Sequence, residues 1–164
     1  MRYNKIRKMD ISNGPGVRIS IFMQGCTFNC KNCFNPETHD FNGGKEFTEE
    51  TLNTILDLAN QDHIAGLSIL GGEPLHPKNL KTTTWLAKEF KKTYPNKTIW
   101  VWTGFLYDLD IKDKEIVNYI DVLVDGQFKE ELKNPNLKWR GSSNQRVINI
   151  KETIKNNKII LESE

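Results

Sequence analysis

The sequence predicts an α/β fold, a partial, open (β/α) barrel with mainly parallel strands. Three observations carry that prediction. First, β-branched apolar runs alternate with amphipathic segments along the chain, which implies right-handed βαβ crossovers. Second, the chain has 164 residues, whereas a complete eight-stranded barrel takes about 250 and rarely fewer than about 200. Third, turns rich in glycine or cysteine stand directly after the strand candidates, where sites gather in parallel sheets.

Residues 17–23, VRISIFM, form the first strand, which stops at Gly25 just before the cysteines. A loop follows as far as the turn at Asn42-Gly43-Gly44. Thr48 caps a helix whose first turn holds Glu49 and Glu50, suited to the positive end of the helix dipole. Phe47 and Leu52 stand at the two positions of a hydrophobic staple, and Leu52, Ile55, Leu56 and Ala59 form the apolar stripe. Residues 66–70, GLSIL, are a buried strand, with the turn Gly71-Gly72-Glu73-Pro74 after it. A helix from about Leu80 to Lys92 carries Trp85, Leu86 and Phe90. TIWVW at 98–102 is the third strand, a helix follows near 113–119, and DVLVD at 121–125 is the fourth strand. In the tail, 147–150 and 158–162 read as short strands around a short helix. The strand ends carry Gly25-Cys26, the Gly71–Pro74 turn, Thr103-Gly104 and Asp125-Gly126-Gln127, and this convergence implies one shared pocket.

The whole chain, 1–164, is expected to form one domain. A net charge of +2, with basic and acidic residues interleaved, argues against a nucleic-acid or membrane partner. The opening MRYNKIRKMD lacks an apolar core of a secretory signal, and no apolar run reaches membrane-spanning length, so the expected location is the cytoplasm.

All three cysteines fall in one loop, Cys26-Thr27-Phe28-Asn29-Cys30-Lys31-Asn32-Cys33. An odd number in a tight cluster is unsuited to a disulfide framework and suited to a metal site. Thiolates favour zinc or an iron–sulfur cluster. His39 is near enough to complete a Cys3His zinc site, so zinc remains the alternative at this point. An iron–sulfur cluster usually takes four cysteines, and three leave one iron open to an outside ligand.

The C-x3-C-x2-C spacing resembles the signature of the radical S-adenosylmethionine superfamily. Asn13-Gly14-Pro15-Gly16-Val17-Arg18 and Phe22-Met23-Gln24-Gly25-Cys26 resemble its glycyl-radical-activating branch. The stretches 33–38, 71–77, 124–128 and 140–146 extend the match in the expected order and bring it closest to the activases of anaerobic ribonucleotide reductases. Related activases often have Asp where Asn13 stands, and a short polar cap serves the same turn.

This resemblance implies a barrel of the radical SAM type with one 4Fe-4S cluster held by Cys26, Cys30 and Cys33. It implies S-adenosyl-L-methionine bound at the open iron, its amino group against the main chain of Gly71, Gly72 and Glu73. Asn32, Cys33 and Phe34 are placed beside the adenine, and Thr103 and Asp125 at the ribose or methionine end. No protein acid, base or nucleophile is required. The implied reaction is cleavage of S-adenosylmethionine to a deoxyadenosyl radical that takes a hydrogen atom from a glycine of the partner. That partner is the large glycyl radical subunit of the anaerobic ribonucleoside-triphosphate reductase, with an electron donor such as flavodoxin. Arg140 and Arg146 frame a polar loop that is suited to a carboxylate or to partner docking, unless it is a solvated surface loop. The rival readings are a short radical enzyme acting on a small molecule and a non-enzymatic metal-binding module.

Overall fold

The computed structural model describes residues 1–162. Its frame is a mixed sheet of seven strands: β1 (Arg2–Asp10), β2 (Val17–Met23), β3 (Lys45–Glu46), β4 (Ile64–Gly71), β5 (Thr98–Trp102), β6 (Val122–Asp125) and β7 (Arg146–Asn149). They lie in the order β3-β1-β2-β4-β5-β6-β7. The central strands β2, β4, β5 and β6 are parallel. The flanking pairs β3–β1, β1–β2 and β6–β7 are antiparallel, and the sheet is not closed.

The mainly parallel expectation thus holds at the centre and gives way at the edges, because of how the strands are joined. Helix α1 (Glu49–Leu58) lies in the connection from β2 to β4, and α2 (Pro77–Thr93) joins β4 to β5. Only residues 11–16 separate β1 from β2, too short a link for a parallel crossover. Within β1 the register slips between Tyr3 and Lys5, so that the period-two alternation is broken there and the sequence pattern hides the strand.

Thr48 caps α1 in a reciprocal capping box with Thr51, and the staple residues Phe47 and Leu52 are both buried. Helix α2 begins earlier than the apolar stripe suggests. Pro77 occupies its first turn, and His76 Nδ1 accepts the Lys78 N–H at 3.1 Å as the cap. The helix expected near 113–119 is replaced by a wide turn at Tyr107–Ile111 and a 3-10 turn at Glu115–Asn118. Ile111, Ile116 and Ile120 still reach the core, from these short turns rather than from one continuous helix face. In the tail, α3 (Ile150–Asn156) follows β7, and residues 158–162 pair with β7 through an isolated bridge from Leu161 to Ile148 and two flanking main-chain hydrogen bonds rather than as a full strand.

Strand parity divides the sheet into two faces. Ile19, Ile21 and Met23, Leu67 and Ile69, Ile99 and Val101, Leu123 and Ile148 pack in one core with residues of α1 and α2. On the other parity lie Arg18, Phe22, Ser68, Trp100, Trp102, Val122 and Val124. Trp100, Val122, Val124 and Val147 form a second cluster there, against which Trp102 and Trp139 pack. At the N-terminal end of this inner face, the fully buried Arg18 guanidinium donates to Ser68 Oγ, Thr98 Oγ1 and the carbonyls of Pro15, Leu67 and Thr98. Ser68 Oγ in turn donates to the Asn13 carbonyl at 2.5 Å, which fixes the 13–16 loop. The C-terminal end of the inner face is open.

Candidate functional site

That open end is a cavity of about 510 Å3, within the range of small-molecule sites. The strand ends expected to share a pocket do so. Cys26, Cys30 and Cys33 line it together with Gly71, Gly72 and Thr103-Gly104, and Gly126 reaches it from the end of β6. The opposite wall is aromatic, with Phe22, Trp102, Phe128 and Trp139.

The cysteine loop is built to hold one shape. Gly25, at φ 106°, donates its N–H to the Thr38 carbonyl at 2.6 Å, and the Cys26 N–H donates to the His39 carbonyl at 3.1 Å. Asn29 and Asn32 take left-handed φ values of 50° and 54°, which asparagine tolerates better than most residues. The Phe28 ring presses on Gly104, where a Cβ would lie 2.6 Å from it, and meets Phe105 edge-on at 5.0 Å. Gln127 Nε2 donates to the Phe28 carbonyl at 3.3 Å, tying the loop to the residues after β6. The Asn35 N–H points at Cys33 Sγ, 3.4 Å away.

The thiols are free and half-buried. Burial pushes those of Cys26 and Cys33 up from their ordinary range, the direction that a bound metal cation reverses. Among the described residues no group of His, Cys, Asp and Glu side chains is gathered as a site for a metal ion. The three thiols share a cavity wall, and His39 is not among the cavity's lining residues. This arrangement fits a 4Fe-4S cluster, whose irons each take one thiolate, better than a single zinc ion.

The turn after β4 is shaped by close backbone approach. Gly71 has φ 122°, and a Cβ there would collide with the Met23 backbone. Gly72 sits between two carbonyls: a Cβ would stand 2.6 Å from Gly25 O and 2.7 Å from Thr38 O. Glu73 borders the cavity, but its side chain is only 1% exposed and its carboxylate is committed elsewhere. It accepts the Gly104 N–H at 2.6 Å, the Thr103 hydroxyl at 2.7 Å and the Leu75 N–H at 2.9 Å. Its own N–H donates to Gly25 O at 2.8 Å. Glu73 therefore clamps the ends of β2, β4 and β5 together. Burial, with no cation in contact, pushes its carboxyl up to about 7 against the pull of these three donors.

The other expected residues divide. Thr103 lines the cavity, with its hydroxyl held by Glu73. Phe34 stands at the rim, 60% exposed, tilted against Phe128 at 4.9 Å over a bare Gly141, and Lys133 Nζ lies 5.8 Å from its centroid. Asn32 shapes the loop and is not among the lining residues. Asp125 shares the parity of Leu123, so its side chain turns to the helix side. It is fully buried, and it accepts from Arg146 at 2.6 and 3.0 Å and from the Tyr107 N–H at 2.8 Å. Arg146 also pairs with Asp108 at 2.7 Å, and these carboxylates push its pKa above the ordinary value. Arg140 donates to the Ser143 and Gln145 carbonyls, so the 140–146 loop is largely braced by its own groups. Among the lining residues that sequence reasoning did not single out are Phe22, Trp102, Asn35, Phe128 and Trp139. For the first two the usable signal was strand parity, opposite to that of the core residues.

Comparison with known proteins gives a consistent result. Residues 12–148 match the family described as 4Fe-4S single cluster domain. The chain is 44% identical over 150 residues to an anaerobic ribonucleoside-triphosphate reductase-activating protein of Salmonella typhi, covering 90% of this chain and 97% of the relative. A protein of the same name from Escherichia coli K12 is 42% identical over the same shares of both chains. One from Enterobacteria phage T4 is 38% identical, covering 90% of this chain and 93% of that one.

Proposed function

Because this chain belongs to the family of the anaerobic ribonucleoside-triphosphate reductase-activating proteins, we propose that it installs the glycyl radical on such a reductase, using a 4Fe-4S cluster and S-adenosylmethionine. The observation that carries this reading is the convergence of three free thiols and the Gly71-Gly72 main chain on one cavity. The chemistry a bound cluster supplies is one-electron cleavage of S-adenosylmethionine, giving methionine and a deoxyadenosyl radical that takes a hydrogen atom from a glycine Cα of the reductase.

The chain's own residues supply placement and exclusion of water. Cys26, Cys30 and Cys33 would hold the cluster. Gly71 and Gly72 line the cavity with bare main chain and would receive the amino-acid end of the cofactor there. Glu73 supports that end indirectly: its side chain fixes the turn against Thr103 and Gly104, and its N–H ties the turn to Gly25. Phe22, Trp102 and Trp139 give the remaining volume an apolar wall, and Phe34 offers an exposed ring at the mouth for the adenine. Asp125 acts at one remove, by holding the end of β6 through Arg146.

The open sheet with helices against one face supports a partial barrel of the radical SAM type, formed by 1–164 as one domain. An uncovered mouth suits a macromolecular substrate. The electron donor is a small redox protein such as flavodoxin, and the setting is the cytoplasm. Among the described residues no helix is long and apolar enough to cross a membrane. The test is anaerobic reconstitution followed by reduction with S-adenosylmethionine present. Visible absorbance from iron–sulfur charge transfer, with formation of methionine and 5′-deoxyadenosine, is expected; a colourless zinc protein would refute the reading.

A further inference from the structure

We propose that Trp102 recognises the positive charge of the cofactor: its indole face receives the sulfonium of S-adenosylmethionine and so separates this ligand from its neutral thioether analogue, S-adenosylhomocysteine. The proposal deepens the activase reading above and rests on it. It starts from the charges around the cavity. Among the described residues the lining holds three cationic side chains, Arg7, Lys133 and Arg140, and one carboxylate, Glu73. Glu73 is 1% exposed and already accepts the Leu75 and Gly104 N–H groups and the Thr103 hydroxyl, so it has no free carboxylate to offer a cationic ligand. The cofactor's own carboxylate has cations to meet. Its sulfonium has no N–H or O–H to donate, and beside the cluster only the aromatic wall is left to receive it.

Trp102 is the ring on that wall whose placement is most tightly fixed. Trp100 and Trp102 share one side of β5, their centroids 5.8 Å apart and their planes inclined by 32°, so Trp100, 3% exposed, backs Trp102 from the N-terminal side of the strand. The ring face turned away from Trp100 is the one that meets the cavity, which Trp102 lines. The polar edge of the ring is committed: Nε1–H donates to the Trp139 carbonyl at 2.7 Å. Trp139 accepts it from a left-handed backbone, φ 67°, that a bulky residue holds only where its surroundings impose it. Its ring packs edge-on against Trp100 at 5.8 Å. The indole of Trp102 is thereby held with a bare π face toward the ligand. Its place along the sheet also suits the sulfonium. β5 pairs with β4 so that Val101 stands opposite Ile69, which sets Trp102 beside Leu70, just before Gly71. Neighbouring strands lie about 4.8 Å apart, and the cofactor's sulfur is only a few bonds from the amino-acid carbon that Gly71 and Gly72 would receive. A cation over an indole face is attracted by the ring quadrupole, and the attraction grows when water is excluded.

The test measures equilibrium binding of S-adenosylmethionine and of S-adenosylhomocysteine to the reconstituted protein, with the cluster oxidised so that no cleavage competes. The wild type is expected to prefer the sulfonium. Trp102→Leu should reduce that preference about tenfold, almost wholly through weaker binding of S-adenosylmethionine, with iron content unchanged. Trp102→Phe keeps a π face but not the N–H, and should retain most of the preference. If leucine disturbs the fold, Trp102→Met carries the same test. Equal weakening of both ligands in Trp102→Leu makes the ring a plain apolar wall and overturns the proposal, as does an unchanged preference. A loss in Trp102→Phe as large as that in Trp102→Leu traces the effect to the Trp139 hydrogen bond and also overturns it. Failure of the wild type to hold iron or to bind either ligand instead overturns the activase reading.

Discussion

Replacing Gly72 by alanine adds one methyl group at the point where the turn after β4 meets the base of the cysteine loop. That Cβ would stand 2.6 Å from Gly25 O and 2.7 Å from Thr38 O, both main-chain atoms that cannot rotate away. Ordinary contact begins at about 3.4 Å, so one side must retreat by roughly 0.7 Å, an overpacking cost of about 1–3 kcal/mol. Gly25 immediately precedes Cys26 and donates to Thr38 O, so the retreat is passed to the loop that bears the thiols. The variant should therefore lose thermal stability, by roughly 3–10 °C for a domain of this size. It should also bind S-adenosylmethionine more weakly and hold less iron per chain. Scanning calorimetry of the apoprotein, iron analysis after reconstitution and cofactor titration read the three effects separately. Wild-type values in all three would refute the close approach of Gly72 to the loop.

Three further outcomes follow from the same geometry. The folded-state carboxyl of Glu73 sits at about 7 against 4.5 when unperturbed, so the folded chain holds its proton more tightly than the unfolded chain. This group's contribution to stability is full below about 4.5 and falls by about 3 kcal/mol as pH rises to about 7. Unfolding of Glu73→Gln across that window should show a flatter profile, and an equally steep one contradicts the assignment. Arg146→Met leaves the fully buried Asp125 with only the Tyr107 N–H and should cost about 3–5 kcal/mol in denaturant unfolding, part of which Asp125→Asn restores. Cys26→Ala, Cys30→Ala and Cys33→Ala should each remove the cluster or leave it unable to cleave S-adenosylmethionine; full cleavage by any of them contradicts the ligand set.

Much of the centre of the fold was legible because a parallel strand buried on both faces writes itself as an apolar run. TIWVW at 98–102 is found where the pattern puts it. The convergence of the strand-end motifs was legible for the same reason, since parallel strands deliver their ends to one side. β1 was not, because its bulge breaks the alternation. The orientation of Asp125 was not legible, because a strand-end position says where a residue lies but not which way it turns. Parity with Leu123 sends it to the helix side, onto Arg146. Glu73 shows a related limit. The motif locates the turn, but only the coordinates show that the Glu73 side chain clamps Thr103 and Gly104. The 140–146 loop was open between docking and self-bracing because its residues serve both uses; in the structure Arg146 pairs with Asp125 and Asp108.

The central claim is that this cavity produces a radical for another protein chain. Its most direct measurement is electron paramagnetic resonance of a strictly anaerobic mixture of the reconstituted protein, reductant, S-adenosylmethionine and the anaerobic reductase. The account predicts a stable glycyl radical signal that resides on the reductase and changes when its glycine is deuterated at Cα. Without the reductase, cofactor cleavage should be slow and no stable protein radical should appear on this chain. No glycyl signal on the reductase, with rapid turnover of a small nucleoside or pterin in the absence of any protein partner, would contradict it.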